Sequence, residues 1–150
     1  MGNIPYTFLK HMNKDTFTGQ YRYTIDAKGR VNIPALFRKV LSPENNNTFI
    51  ITRGQDPNIW IYPLIEWRII ENRLRELSAL SPTNRSFVRS LTRWATPVVF
   101  DKQGRIQLTT DLITYAGLEK EVVIIGVVNK IEIWNPQRLE RVVQDTPELD

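Results

Sequence analysis

The sequence predicts a mainly β fold with short helices (α+β), in which two pseudo-symmetric repeats share one β-barrel, with a helical linker between them and a further helix at the C-terminal end. Three observations carry the prediction. The stretch Ile25-Asp26-Ala27-Lys28-Gly29-Arg30-Val31-Asn32-Ile33-Pro34 returns 75 positions later as Phe100-Asp101-Lys102-Gln103-Gly104-Arg105-Ile106-Gln107-Leu108-Thr109, with Asp, Gly and Arg at identical spacing. Leaving each Asp-x-x-Gly-Arg, apolar residues alternate with polar ones (Val31, Ile33; Ile106, Leu108), which reads as strand, turn, strand with one buried face. Between the copies the apolar spacing turns helical. Each copy is about 45 residues long, short of what buries an independent core, so the two copies are expected to intertwine or pack together.

Residues 1 to 16, with Pro5 and a polar Asn-Lys-Asp run, read as a mobile arm without chemistry. Phe17, Tyr21, Tyr23 and Ile25 alternate as a strand entering the first turn. Pro34 can open a short helix with Leu36, Phe37, Val40 and Leu41 on one face, closed by Ser42-Pro43. A polar loop over residues 44–47 follows, then strands over 49–52 and 59–62 joined by a turn. Pro63 opens a helix with Leu64, Trp67, Ile70, Leu74 and Leu77 at helical spacing. Ser81 caps the next helix, with Pro82 at its first position and Phe87, Val88, Leu91 and Trp94 along one side. Arg85, Arg89 and Arg93 fall on another side, a row that reads first as a solvated face or as partners of carboxylates such as Glu71 and Glu76, and less often as a face toward DNA or a neighbouring subunit. The second copy repeats the order: Val98 to Phe100, the turn, Ile106 to Leu108, a helix from Asp111 stopped by Gly117, and strands over 122–125 and 131–134. These last two match 50–53 and 59–62 at an offset of 72. Tyr21, Tyr23, Trp60 and Trp134 serve either the core or self-association.

The turns have a physical logic of their own. Gly29 and Gly104 tolerate positive φ, and Asp26 and Asp101 can accept backbone N–H groups across the bend. Arg30 and Arg105 are then held stiffly, with planar forks of donors suited to phosphate oxygens or to the O6/N7 edge of guanine. Taken alone, one such turn reads as a staple in which Arg pairs with its own Asp. Two copies in one duplicated chain shift the reading to a ligand-facing role.

Composition narrows the classes. With 41% apolar and 24% charged residues the chain is globular, and no apolar run approaches the ~20 residues of a membrane span. The first residues lack the apolar core of a signal peptide, so a cytoplasmic location is expected. Cysteine is absent, which excludes disulfides and thiolate metal sites; the single His11 argues against a histidine-based metal or triad site, and no cofactor or small-molecule substrate is expected. Net charge is +4, unevenly placed: residues 68–96 carry 6 basic and 2 acidic groups, whereas 97–140 carry 5 and 6 and the last ten carry 1 and 3. A positive centre suits a polyanionic partner.

An ordered series then emerges: Phe17-Thr18-Gly19, Asp26 to Pro34, Thr52-Arg53-Gly54, Ile61-Tyr62-Pro63-Leu64, Phe87-Val88-Arg89, Asp101 to Arg105, and Tyr115-Ala116-Gly117-Leu118-Glu119. From residue 17 to about 143 it resembles the MraZ family of bacterial transcriptional regulators, built of two SpoVT/AbrB-type domains. The resemblance implies a swapped-hairpin barrel within one chain, with an N-terminal extension over 1–19, domains over 20–67 and 97–140, a helical linker over 68–96 and a tail over 141–150. It also implies a ring-shaped homo-oligomer, association with the nucleoid, and binding of double-stranded DNA at short direct repeats upstream of the division and cell-wall gene cluster. The family's DNA-contacting arginines map onto Arg30 and Arg105, with Lys28 and Lys102 beside them and Asp26, Gly29, Asp101 and Gly104 bracing the turns.

Three departures bear on that transfer. Met1 to Thr16 is extra, Leu108-Thr109 stands where the family has Ile-Pro, and Ile113 stands where the following helix carries Arg. An equal role for the second repeat therefore stays open, and Thr109 or Thr110 can cap the helix in place of proline. The competing class is a structural oligomer or protein-binding module whose turns only staple the barrel. An enzyme is disfavoured: no nucleophile–base pair, phosphate loop or metal spacing is present, and Asp26 and Asp101 serve as turn braces. RNA binding lacks a visible stacking platform, because the aromatics alternate with apolar neighbours.

Overall fold

Runs rich in β-branched residues, some alternating with polar ones and some continuously apolar, build eight strands among the described residues, and interruptions by proline, glycine and Asx residues place the helices between them. The structure is a computed structural model that describes residues 16–148, so the expected arm, up to residue 15, and His11 with it lie outside the described residues. The first repeat comprises β1 (Phe17–Thr24), β2 (Arg30–Asn32), α1 (Ala35–Val40), a 3₁₀ turn (Pro43–Asn45), β3 (Thr48–Arg53) and β4 (Ile59–Pro63). Two helices follow, α2 (Leu64–Arg75) and α3 (Pro82–Thr92). The second repeat comprises β5 (Thr96–Val99), β6 (Arg105–Gln107), α4 (Thr110–Ala116), β7 (Glu121–Val128) and β8 (Ile131–Trp134), with α5 (Pro136–Asp145) after it.

The strands form a six-stranded antiparallel sheet in the order β1-β7-β8-β4-β3-β5 and a separate two-stranded ribbon of β2 and β6. Exchanging each strand for its counterpart in the other repeat reverses the order and leaves it unchanged. A pseudo-twofold axis therefore runs between β4 and β8, where Trp60 faces Glu132, and through the ribbon, where Val31 faces Ile106. β1 of the first repeat is bonded to β7 of the second, and β5 of the second to β3 of the first, so the repeats are intertwined. Each turn leads not into a hairpin on its own strand but into the ribbon shared with the other repeat. β1 and β5 are not bonded to one another, so the sheet stays open along those two edges.

The inner face of this assembly is one core, holding Phe17, Val31, Ile33, Phe49, Ile51 and Ile61 with Ile106, Leu108, Leu112, Ile124, Ile131 and Ile133, all nearly solvent-free. At about 25 cal/mol per Å² of apolar surface, burial of side chains of this size contributes about 1.5–3 kcal/mol each, and both repeats supply it. A second, smaller cluster of Ile50, Tyr62, Trp67 and Leu91 seats α2 and α3 on the sheet.

The helices depart from expectation in their faces. In α1 only Phe37 is buried, with Leu41 half-buried beside it, while Leu36 and Val40 are 59% and 42% exposed. A six-residue helix touches the core along a single i, i+4 line, and Phe37–Leu41 takes it, leaving Leu36–Val40 outside. In α3 only Leu91 is buried; Phe87 is exposed and Val88 and Trp94 half-buried, because the helix rests on the sheet at its last turn, where Thr52 Oγ1 donates to the Leu91 carbonyl at 2.8 Å. Nor does α2 extend to Leu77, which is exposed beyond its end. The polar loop after α1 holds a fully buried residue: Asn45 Oδ1 accepts from the Ile65 amide at 2.9 Å, satisfying one of the amides in the first turn of α2, and its Nδ2 donates to Ser42. Ser81 caps α3 by accepting from the Asn84 amide, and Thr109 caps α4 by accepting from the Leu112 amide. Gly117 closes α4 in the left-handed conformation at φ 63°.

Candidate nucleic-acid interface

Each turn is built the same way. In the first, the Gly29 amide donates to the Asp26 carbonyl and the Asp26 amide to the Arg30 carbonyl, both at 3.0 Å, with Gly29 at φ 80°. Asp26 Oδ1 accepts from the amides of Lys28 (3.0 Å) and Arg30 (2.8 Å), and Oδ2 accepts from Arg30 Nε at 2.7 Å. In the second, Gly104 lies at φ 79°, Asp101 Oδ1 accepts from the amides of Gln103 and Arg105 at 2.9 Å, and Oδ2 accepts from Arg105 Nε at 3.0 Å. The backbone N–H groups of Arg30 and Arg105, aided by their side chains, hold the two carboxyls below their ordinary pKa of 3.8, against a smaller upward push from burial. Both aspartates are therefore ionised at neutral pH.

The staple that a single turn suggests is thus present in both. Each ion pair, however, engages only Nε of its arginine. Among the described residues neither Nη group of Arg30 or Arg105 meets an acceptor, and the two side chains keep 31% and 26% of their surface. A salt bridge in such an exposed place adds little stability; it fixes the direction of the guanidinium.

The ribbon puts these groups on one surface. Arg30 faces Gln107 and Asn32 faces Arg105, while the intervening Val31 and Ile106 point into the core, 1% exposed each. By the period of two, Arg30, Asn32, Arg105 and Gln107 all lie on the outward face, with the arginines on the diagonal, roughly 8 Å apart at Cα. The two amides tie the turns across the axis: Asn32 Nδ2 donates to the Gln103 carbonyl at 3.0 Å, and Gln107 Nε2 to the Lys28 carbonyl at 2.6 Å. The backbone does the same, with the Ile33 amide donating to the Gly104 carbonyl and the Leu108 amide to the Gly29 carbonyl. Lys28 and Lys102 are exposed in their turns, at different steps; Gln103 occupies the place equivalent to Lys28. Asn32 and Gln107 were legible beforehand only as polar strand positions, although the offset of 75 marks them as a pair.

The arginine row on α3 is elsewhere. Arg85 donates to the carbonyls of Ala79 and Leu80, and Arg93 lies over the Trp94 ring; among the described residues neither Glu71 nor Glu76 pairs with the row, which lies on the solvated side of its helix. Arg53 is sandwiched between Trp94, 3.6 Å from the ring centroid, and Tyr115 at 4.5 Å, and is spent on packing. Of the tryptophans, Trp134 and Trp67 are core residues and Trp60 is half-buried. Among the described residues no group of three or more His, Cys, Asp or Glu could hold a metal ion, and no helix is long and apolar enough to cross a membrane.

The duplicated turn, the shared ribbon and the chain's similarity to known proteins point the same way. The family described as "MraZ protein, putative antitoxin-like" matches twice in tandem, over residues 16–90 and 91–150. The chain belongs to the MraZ family. Its relatives include a protein of Pediococcus pentosaceus that is 42% identical over 132 residues, covering 88% of this chain and 90% of the relative. One from Halothermothrix orenii is 45% identical, covering 81% of this chain and 82% of its own length, and one from Desulfitobacterium hafniense is 44% identical, covering 79% and 80%. All three bear the name transcriptional regulator MraZ, which is not that of an enzyme.

Proposed function

We propose that this chain is a DNA-binding transcriptional regulator whose contact surface is the outward face of the β2–β6 ribbon. Arg30 and Arg105 are the principal contacts, Lys28 and Lys102 flank them, and Asp26, Gly29, Asp101 and Gly104 brace the turns. The observation that carries this is the placement of both turn arginines on one exposed face with their Nη groups uncommitted, although each Nε is held by its own aspartate. Relatives named as regulators of transcription support it. The modules are the domains over 20–67 and 97–140, joined by the linker over 68–96. Copies assemble into a ring whose repeated ribbons engage direct repeats upstream of the division and cell-wall genes, at the nucleoid. Each ribbon is a weak grip, and linking them raises the effective concentration of the next contact, which supplies selectivity. A β ribbon is a known shape for entering a groove.

Mobility shifts with Arg30→Ala and Arg105→Ala, on the upstream direct repeats and on scrambled DNA of equal length, test this. Loss on both DNAs with a shallower salt dependence marks phosphate contacts; a loss of about 1–3 kcal/mol confined to the repeats marks base contacts. Unchanged binding on both removes the ribbon from the interface. The two ion pairs favour one other reading, that the turns only staple a structural oligomer. In that case the double variant breaks up the assembly, and DNA affinity falls only with it.

A further inference from the structure

Position 38 carries arginine in the first repeat, and the equivalent position 113 carries isoleucine in the second. Because the ribbon is exchanged between repeats, each of these helix residues lies against the other repeat's turn. The Arg38 guanidinium covers Gly104: a Cβ placed there would stand 2.5 Å from both Nε and Cζ of Arg38. Ile113 covers Gly29, where a Cβ would meet its Cδ1 at 3.1 Å. Arg38 is half-buried and held by one hydrogen bond, Nε donating at 3.1 Å to the carbonyl of Ile33, the residue whose own amide bonds the Gly104 carbonyl across the ribbon. Among the described residues no carboxylate neutralises it.

We infer that Arg38 and the Arg105 turn form one composite phosphate site, built from both repeats, and that the Arg30 turn, backed by Ile113, is the weaker of the two grips. The second repeat's loss of a helix arginine thus depletes the first repeat's turn, not its own. The stronger turn has Arg105, Lys102 and Arg38 as donors around one carboxylate, Asp101, which accepts three N–H groups just as Asp26 does in the other turn. The weaker one has Arg30 and Lys28 against Asp26. Glycine at 104 is required for two reasons: its positive φ, and the absence of any side chain where the guanidinium rests.

This rests on the reading of the ribbon as the DNA-binding face, and the test separates the two. The full chain is titrated with a direct-repeat duplex from its own upstream region and with a scrambled duplex, at several salt concentrations. Arg38→Ile places at 38 the side chain that already packs at 113; it is expected to weaken binding to both duplexes and to reduce the salt slope by about one for each chain in contact. Arg38→Lys should recover the slope, which a purely structural role for the guanidinium would not allow. Ile113→Arg should steepen the slope beyond that of the unaltered chain. A folded Arg38→Ile chain with unaltered slope overturns the composite site while leaving the ribbon standing if Arg105→Ala still binds weakly. Should Arg38→Ile fail to fold, an unaltered slope for Ile113→Arg overturns it instead. Unaltered binding by both Arg30→Ala and Arg105→Ala removes the underlying reading.

Discussion

Arg30 and Arg105 each answer to two demands, an aspartate that holds Nε and a surface to which the remaining donors are turned. The aspartates set the pH range over which that holds. Their folded pKa lies below 3.8, so the brace is fully present above the ordinary carboxylate range and is lost only as pH falls through the lowered value. Carboxyl titration by NMR should therefore give both Asp26 and Asp101 midpoints below the ordinary aspartate value of 3.8, and the turns should keep their amide shifts down to that range. The two glycines separate backbone from packing. Alanine at either position has to adopt φ near 80°, a cost of about 1–2 kcal/mol by thermal or chemical unfolding. Gly104→Ala should in addition push the Arg38 guanidinium aside and weaken DNA binding more than Gly29→Ala does, which mobility shifts of the paired variants would read.

At the scale of elements, the short helices are held by single side chains rather than by broad apolar faces. Phe37→Ala should cost about 3–5 kcal/mol, because its ring packs edge-on against both Phe17 and Tyr21, at centroid distances of 5.4 and 5.3 Å. Leu36→Ala, one position away, should stay within about 0.5 kcal/mol. Chemical denaturation of the two variants tests the assignment of that face. The strands were legible in the sequence because Val31, Ile33, Ile106 and Leu108 alternate so cleanly, and the caps because Ser81-Pro82, Thr109 and Gly117 are local signals. The faces of α1 and α3 were not, since six to eleven residues with three or four apolar positions fit more than one stripe. Asn45 was hidden in a run of three asparagines, and its role depends on an amide twenty residues away. The cross-axis bonds of Asn32 and Gln107, and the pairing of Arg38 with the opposite turn, follow from strand exchange, which no local pattern states.

At the scale of the whole molecule, each repeat keeps one internal strand pair, β3–β4 or β7–β8, but lacks the partners of its outer strand and its ribbon strand. β1 needs β7, β5 needs β3, and β2 needs β6. A chain cut between the helices should therefore not yield two folded monomers. The first half alone should be unfolded or should dimerise by supplying the missing strands to a second copy, which light scattering and amide dispersion in NMR would distinguish from an independent domain. Added together, the halves should recover the dispersion of the intact protein.

The pseudo-twofold axis through Val31 and Ile106 has a final implication. An object with a perfect dyad has no front or back, and laid along a double helix it would sit equally well either way round. Replacing one guanidinium by a branched hydrocarbon at 113, while keeping it at 38, gives each unit a heading. Units that share a heading can file along sites that all run the same way, which a unit with an exact dyad would have no means of preferring.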